Sequence, residues 1–392
     1  MLSASQPVRV LVVEDSARLR TRIVEALSGD PGIEVVAQAG DGRTAIDLCL
    51  QLRPDVITMA VRLPGVSGLA ATEQLMQRCP TPILILSAGA DSGELVNSFA
   101  ALAAGAVDVL EKPRLGITDD ADWNRRLIST VKLVARIQVI THLDRKGGRR
   151  SDLADLPAAK PAAANLAAAD LPAADLPAAN LAVADVLDPP SARVPSAPGA
   201  FSVVAIGAST GGPAAVATVL SALPVAFCLP VLLVLHVGET FGPAIANWLK
   251  DVTGRRVRLA QHGEAVSRLG GQVIMAPPGQ HLVVRNGLLQ LNTDRERYSC
   301  RPSVDVLFES LADECGPRVA ACLLTGMGKD GAGGLLRIHR SGGLTIAQDE
   351  ASSVVFGMPG EAVRLGAAQY VLPDKQIGPL LGRLAISEVE SR

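Results

Sequence analysis

Short apolar runs that alternate with helix-period stretches constrain this chain more than any other property. Between residues 7 and 140, VRVLVV precedes ARLRTRIVEALSG, IEVVAQA precedes GRTAIDLCLQL, and DVITMAV precedes SGLAATEQLMQR. PILILSAG then precedes GELVNSFAALAAG, and AVDVLEKP precedes WNRRLISTVKLVARIQVI. That order predicts a parallel sheet with helices on both faces. From Phe201 the alternation resumes, with FSVVAIGAS, PVLLVLHV, VRLAQ, QVIMAPP, RVAACLLTG and GLTIAQD as strand candidates. HLVVRNGLLQL sets Asn286-Gly287 between two apolar runs, a hairpin signal, so the second α/β region carries one antiparallel excursion.

Residues 141–200 break the pattern. The basic stretch DRKGGRR leads into an Ala/Pro/Asp/Asn/Leu tract with a five-residue beat: DLPAA at 155–159, NLAAA at 165–169, DLPAA at 170–174 and 175–179, and NLAVA at 180–184. The beat resembles that of a pentapeptide-repeat β-helix, but so few units make little more than one coil and bury no core. Prolines at 157, 161, 172 and 177 favour extended segments. The expected organisation is a domain over 7–140, an Ala/Pro-rich linker over 141–200 and a second domain over 201–388.

Composition narrows the function classes. A hydrophobic fraction of 48% is ample for two cores, while a formal charge of −2 and 3% aromatic residues argue against nucleic-acid partners and membrane surfaces. No apolar run approaches the ~20 residues needed to span a bilayer. The six cysteines form no CxxC pair and no metal-ligand spacing, as in proteins of a reducing compartment. The N-terminus enters a strand with no signal-peptide core, so the expectation is a cytoplasmic protein without membrane insertion.

In the first region, Glu14-Asp15 follow the first strand, Ser87 ends the fourth and Lys112-Pro113 follow the fifth. C-terminal strand ends of an open parallel sheet converge on one crevice. An acidic pair, a hydroxyl and a lysine meeting there resemble the flavodoxin-like receiver domain of two-component response regulators. The resemblance implies that the acids hold Mg²⁺ and that the third strand ends in a phosphate-accepting Asp. Here that position, four residues before Pro64, is Ala60. A methyl group cannot attack a phosphoryl donor, and its presence also removes one Mg²⁺ ligand. Neither Asp55 nor Thr58 is a convincing substitute. The expectation is a pseudo-receiver with no phosphoacceptor and no metal, in which Lys112 offsets Glu14 and Asp15 within a structural polar cluster with Ser87.

In the second region, FSVVAI stops at Gly207 and Ala208-Ser209-Thr210-Gly211 turns into a helix. A sharp strand-to-helix turn lifts the Ser209 hydroxyl out of the sheet and points free helix N–H groups at the same spot. This suits an acyl-transfer nucleophile and its oxyanion donors; the same turn can also cradle a phosphate. Of five histidines, His142 lies in the linker, His339 in a helix pattern, and His262 and His281 flank a loop and a strand start. His236 ends VLLVLHV at the same edge as Ser209 and is the best-placed base. Asp330, in TGMGKDG after the strand Val319–Leu324, can reach a His Nδ1–H; helix capping is its other reading, and Asp305 and Asp349 are rival acids. An α/β-hydrolase order would need His339 as base, only nine residues after Asp330.

Residues 203–373 resemble the catalytic domain of the CheB family of chemotaxis protein-glutamate methylesterases. The similarity is carried by IGASTGGP, APPGQHL, RPSVDVLFESLA, LLTGMGKDGAGGL and AQDEASSVVFGMPGEAV. It implies a doubly wound α/β methylesterase fold with Ser209 as nucleophile, His236 as base and Asp330 as its orienter. It further implies that Thr210 and the Met327 backbone shape the site, that RPSVDVLF and Asp305 form a wall beside it, and that no metal or cofactor is required. The implied reaction is hydrolysis of glutamate methyl esters on methyl-accepting chemoreceptors, with glutamine deamidation in some members, and a chemotaxis histidine kinase is an implied partner. The chain departs from the family at Val237-Gly238-Glu239, where a Met-Pro pair is usual, and at Ala60. A non-phosphorylatable adaptor is the alternative, disfavoured by the complete Ser–His–Asp set.

Overall fold

The computed structural model describes residues 6–88, 92–112, 120–137 and 201–385. The tract expected to be a linker, His142 within it, Pro113 and the last residues of the 201–388 span lie outside the described residues.

The first unit runs β1 (Val8–Val13), α1 (Ala17–Ser28), β2 (Ile33–Ala39), α2 (Gly42–Leu52), β3 (Val56–Ala60), α3 (Gly68–Arg78), β4 (Ile83–Ser87), α4 (Ser92–Ala103), β5 (Asp108–Glu111) and α5 (Asp120–Val134). Its strands pair in the order β2-β1-β3-β4-β5, all parallel. Alternation along the strands explains the two covered faces. Val10, Val12, Leu84 and Leu86 pack with Ile23 and Leu127, on α1 and α5. Leu11, Val13, Ile57 and Ile85 pack with Ile46, Leu75 and Phe99, on α2, α3 and α4. Burial on both faces is why these runs read as nearly continuous apolar sequence. Side-chain caps start the helices: Ser16 Oγ accepts from Leu19 N–H (3.4 Å) and Asp41 Oδ1 from Thr44 N–H (2.8 Å).

The second unit runs β6 (Val203–Ala208), α6 (Gly212–Ser221), β7 (Val231–Leu235), α7 (Gly242–Thr253), β8 (Arg256–Leu259) and β9 (Gln272–Met275). It continues with β10 (His281–Arg285), β11 (Leu288–Asn292), α8 (Val304–Cys315), β12 (Val319–Leu323), α9 (Ala332–Arg340), β13 (Leu344–Gln348), α10 (Met358–Arg364), β14 (Tyr370–Leu372) and α11 (Asp374–Ala385). Seven strands form one parallel sheet, β14-β13-β12-β6-β7-β9-β8. The chain builds outward from β6 in both directions, so β6 and β12 flank the point where strand order reverses, where open α/β sheets bind ligands. β10 and β11 form the expected antiparallel hairpin. Asn286 (φ 53°) and Gly287 (φ 71°) both adopt the left-handed conformation that a two-residue hairpin turn demands.

The two units share a continuous apolar cluster. Phe99 of α4 inserts its ring between Phe241 (centroids 6.0 Å, edge-on) and Trp248 (5.8 Å), at the start and middle of α7. A cleft of about 580 Å³ lies beside this contact, lined by residues of α4, α6 and α7. No described helix is long and apolar enough to cross a membrane.

Phe99 is 2% exposed, so Phe99→Ala is expected to cost roughly 3–5 kcal/mol. Urea unfolding of the full chain measures this. An unchanged midpoint would show that the ring contributes nothing to the packed seam.

Candidate active site

Adjacent strand ends bring the expected residues together. Ala208 of β6 pairs with Leu235 of β7, and Gly207 with Leu323 of β12, so the segments that follow emerge side by side. Backbone bonds then join them: His236 N–H donates to Ala208 O (3.1 Å) and Ser209 N–H to Thr325 O (3.0 Å). Gly211 closes the turn at φ 74°, and a Cβ there would strike the Val354 side chain. Only glycine meets both conditions. The Ser209 N–H is engaged by Thr325, so the donors left at the turn are those beyond it. Among the described residues, Thr210 N–H has no backbone acceptor.

Asp330 is 3% exposed on its side chain and accepts four hydrogen bonds. His236 Nε2–H (2.9 Å) and Val304 N–H (2.7 Å) donate to Oδ2, while Ser303 Oγ–H (2.7 Å) and Asp305 N–H (3.0 Å) donate to Oδ1. The acid therefore reaches the ring through Nε2, not through the Nδ1–H expected from sequence. The ring of His236 turns Nδ1 outward, toward Cys300 Sγ at 3.7 Å. Asp330 also caps a helix, but α8 rather than the helix that follows it.

Burial alone would raise the Asp330 carboxyl, yet the bond and charge of His236, with the α8 donors, hold it below its ordinary value. Burial also opposes charge on His236. Asp330 and Cys300 outweigh that effect and push the imidazole up to about 9.

The rival residues have other partners. His281 Nδ1 accepts from Ser303 N–H (3.1 Å) and its Nε2–H donates to Arg295 O (3.2 Å), so it braces the residue that holds Asp330. His262 Nδ1 accepts from Leu291 N–H (3.1 Å), and His339 lies in the last turn of α9. Asp349 Oδ1 accepts from Ser352 N–H and Oγ–H. Asp305 Oδ1 accepts from Gly334 N–H (2.6 Å), tying α8 to α9; burial, against that bond, pushes its carboxyl up to about 6. Met327 is 52% exposed in the loop after β12, two residues before Lys329, whose Nζ stands 5.0 Å from the Tyr298 ring centre.

Three contributors escaped sequence reasoning. Thr325 is fully buried; its hydroxyl donates to Thr210 O (3.0 Å) and accepts from Val355 N–H (2.9 Å). Cys300 stands beside His236. Glu94 acts in the first unit. None carried a local signal except Thr325, which sits beside the Gly-rich loop.

At the β1–β3–β4–β5 edge, Lys112 Nζ pairs with Glu14 Oε2 at 2.8 Å. Burial raises the Glu14 carboxyl, and Lys112 only partly offsets this. Asp15 is exposed, and its side chain, within hydrogen-bond reach of Glu14, raises the Glu14 carboxyl further. Ser87 Oγ–H donates instead to Glu94 Oε1 (3.1 Å), which also accepts from Ala88 N–H (2.6 Å), while Arg62 approaches Glu94 Oε2 at 3.6 Å. Side-chain contacts thus pair Glu14 with Lys112 and Ser87 with Glu94, while Lys112 N–H donates to Ser87 O (2.7 Å).

The first unit also touches the loops of the second. The Thr210 hydroxyl is close enough to lower the Asp108 carboxyl, though burial dominates and pushes it up to about 7. Gly238, one of the departures from the family pattern, lets Glu111 approach: a Cβ there would stand 2.7 Å from Glu111 Oε2. Val354, against Gly211, packs on the β1/β4/α5 cluster.

Comparison with known proteins follows the same division. The CheB methylesterase family matches residues 204–381, and the response regulator receiver domain matches residues 10–116. The chain is 38% identical to a protein-glutamate methylesterase/protein-glutamine glutaminase of Nitrosospira multiformis over 98% of this chain and 99% of the relative. A protein of the same description from Anaeromyxobacter dehalogenans is 38% identical over 98% and 99%. Among solved structures, the CheB methylesterase catalytic domain of Thermotoga maritima is 35% identical, with a TM-score of 0.45, over 47% of this chain and 98% of that one.

A base must be neutral to accept a proton, so activity that depends on His236 is expected to climb with pH toward about 9 rather than level off near 6.5. The same raised value means that stability from the His236–Asp330 pair is complete below pH ~6.5 and is lost as pH rises through the folded value. Cys300→Ala is expected to move the rising limb of kcat/KM to lower pH, because the thiol helps to hold the proton. A wild-type limb near 6.5 would contradict this. In the first unit, Ala60 is fully buried. Ala60→Asp is expected to cost roughly 3 kcal/mol by burying an unpaired carboxylate. Thermal melts with and without Mg²⁺ check it; an unchanged melting temperature without Mg²⁺ would mean that the edge already accommodates an acid.

Proposed function

The chain belongs to the CheB methylesterase family, and we propose that it hydrolyses glutamate methyl esters, and deamidates glutamines, on the cytoplasmic helices of methyl-accepting chemoreceptors. The observation that carries the reading is the convergence of the Ser209 turn, His236 and Asp330 at three neighbouring strand ends. In this mechanism Ser209 Oγ attacks the ester carbonyl and His236 takes its proton through Nδ1, since Nε2 is held by Asp330. Among the described residues Ser209 Oγ makes no hydrogen bond to the ring; such contacts commonly tighten only when substrate binds. Backbone N–H groups beyond Ser209, Thr210 foremost, receive the developing oxyanion, with the Met327 loop at the rim. His236 then protonates the departing methoxide, or the amide nitrogen of a glutamine so that it leaves as ammonia, and water resolves the acyl-enzyme by the reverse proton path.

The division into a receiver over 7–140, a linker over 141–200 and a catalytic domain over 201–388 is part of the same proposal. So is a cytoplasmic location beside a chemotaxis histidine kinase. Ala60 supplies no phosphoacceptor, so control of this enzyme passes through contact rather than phosphoryl transfer. Glu111 at Gly238, Asp108 at Thr210 and Phe99 on α7 support a receiver packed against the loops of the site.

Ser209→Ala is expected to reduce methanol release from methylated receptor membranes by at least ~10⁴-fold, with the fold retained. A Ser209→Ala enzyme as active as wild type would refute the mechanism. Incubation with acetyl phosphate is expected to leave the first domain unlabelled; stoichiometric acyl-phosphate there would refute the pseudo-receiver.

A further inference from the structure

Among the described residues, His236, Cys300 and Asp330 present donor atoms that all lie within 4.8 Å of one another. They are not equivalent. Both oxygens of Asp330 are already committed to four hydrogen bonds, so this carboxylate acts on the imidazole and not on an ion. Two donors remain, Nδ1 of His236 and Sγ of Cys300, 3.7 Å apart. A zinc ion bound at ~2.3 Å to sulfur and ~2.0–2.1 Å to nitrogen, with tetrahedral angles, needs those donors ~3.5 Å apart. The pair stands within a few tenths of an ångström of that bite. His236 is 14% exposed and Cys300 is partly exposed, so an ion has access from solvent.

We propose that His236 and Cys300 form a two-donor site for a thiophilic divalent cation of the Zn²⁺ type, whose binding occupies the nitrogen that Ser209 needs and switches off its base. The hydrogen bond from Nε2–H to Asp330 supplies the outer-shell support usual for a metal-bound imidazole: it fixes the tautomer and raises the basicity of Nδ1. On binding, the Cys300 thiol and, below about pH 9, Nδ1–H of His236 lose their protons to solvent, the ion takes the sulfur and nitrogen lone pairs, and no electron is transferred. Water completes the coordination. A sulfur–imidazole pair favours Zn²⁺ or Co²⁺ over Mg²⁺ and Ca²⁺, which prefer oxygen donors. The site lies outside the implied chemistry of the family, which needs no metal, and its effect is inhibitory.

Binding of Co²⁺ to the full-length protein tests the site without any turnover, and so independently of the proposed substrate. A thiolate-to-cobalt charge-transfer band in the near ultraviolet is expected for wild type, displaced by Zn²⁺ and absent from Cys300→Ser. In methanol-release assays at fixed pH, Zn²⁺ is expected to lower the wild-type rate at least tenfold, reversibly with chelator. Cys300→Ser, relative to its own metal-free rate, is expected to need at least tenfold more Zn²⁺ for the same loss. Cys228 is an exposed competing thiol, so Cys228→Ser serves as a second variant and is expected to keep the band. A band that persists in Cys300→Ser, or that vanishes in Cys228→Ser, overturns the assignment. Equal Zn²⁺ sensitivity of wild type and Cys300→Ser overturns it too.

Discussion

The carboxylate of Asp330 is nearly removed from water, and the arrangement of the catalytic half depends on how its charge is compensated. Four donors reach it from two directions: the ring of His236 on one side, and the Ser303 hydroxyl with two α8 backbone N–H groups on the other. The positive end of the α8 dipole adds to the same effect. A buried carboxylate left without these partners would cost several kcal/mol, so the anion ties β7, the loop after β12 and α8 into one geometry. His281 extends the constraint by accepting from Ser303 N–H, and Asp305 carries it to α9 through Gly334. The His236 ring is hydrogen-bonded to a group whose own position is set from three elements.

The first unit also compensates its buried polar groups in pairs, beside β3, which ends in the fully buried methyl group of Ala60. Lys112 turns to Glu14, and Ser87 and Ala88 N–H are engaged by Glu94. The same end of the unit is where Glu111 meets Gly238. The Ser87–Glu94 contact and the interdomain contact therefore lie on connected elements, since Glu94 and Phe99 share α4.

Much of this was legible in the sequence. Apolar runs bounded by glycine marked the strands, and the polar residue just past each run marked a position at the sheet edge, which is how Ser209 and His236 were found. Asn286-Gly287 announced its hairpin because two adjacent left-handed residues are a local requirement. Other contributors had no such mark. Cys300 lies 64 residues from His236, and Glu94 sits in an ordinary helix pattern. Asp15 reads as half of an acidic pair, yet the β1–α1 turn leaves it in solvent while Glu14 points inward. The nitrogen by which His236 meets Asp330 depends on a ring torsion, and the carboxylate it meets is held by α8 from outside the motif.

The sequence by itself determined the alternation of strands and helices, the residues at the strand ends and the methyl group at Ala60, because periodicity and residue chemistry are local properties. Only the tertiary structure decided which of those residues share a charge, which ring nitrogen remains for chemistry, and where the first unit meets the second. Those outcomes depend on compensating buried polar groups with whichever partners the fold brings near, and chain separation carries no record of that distance.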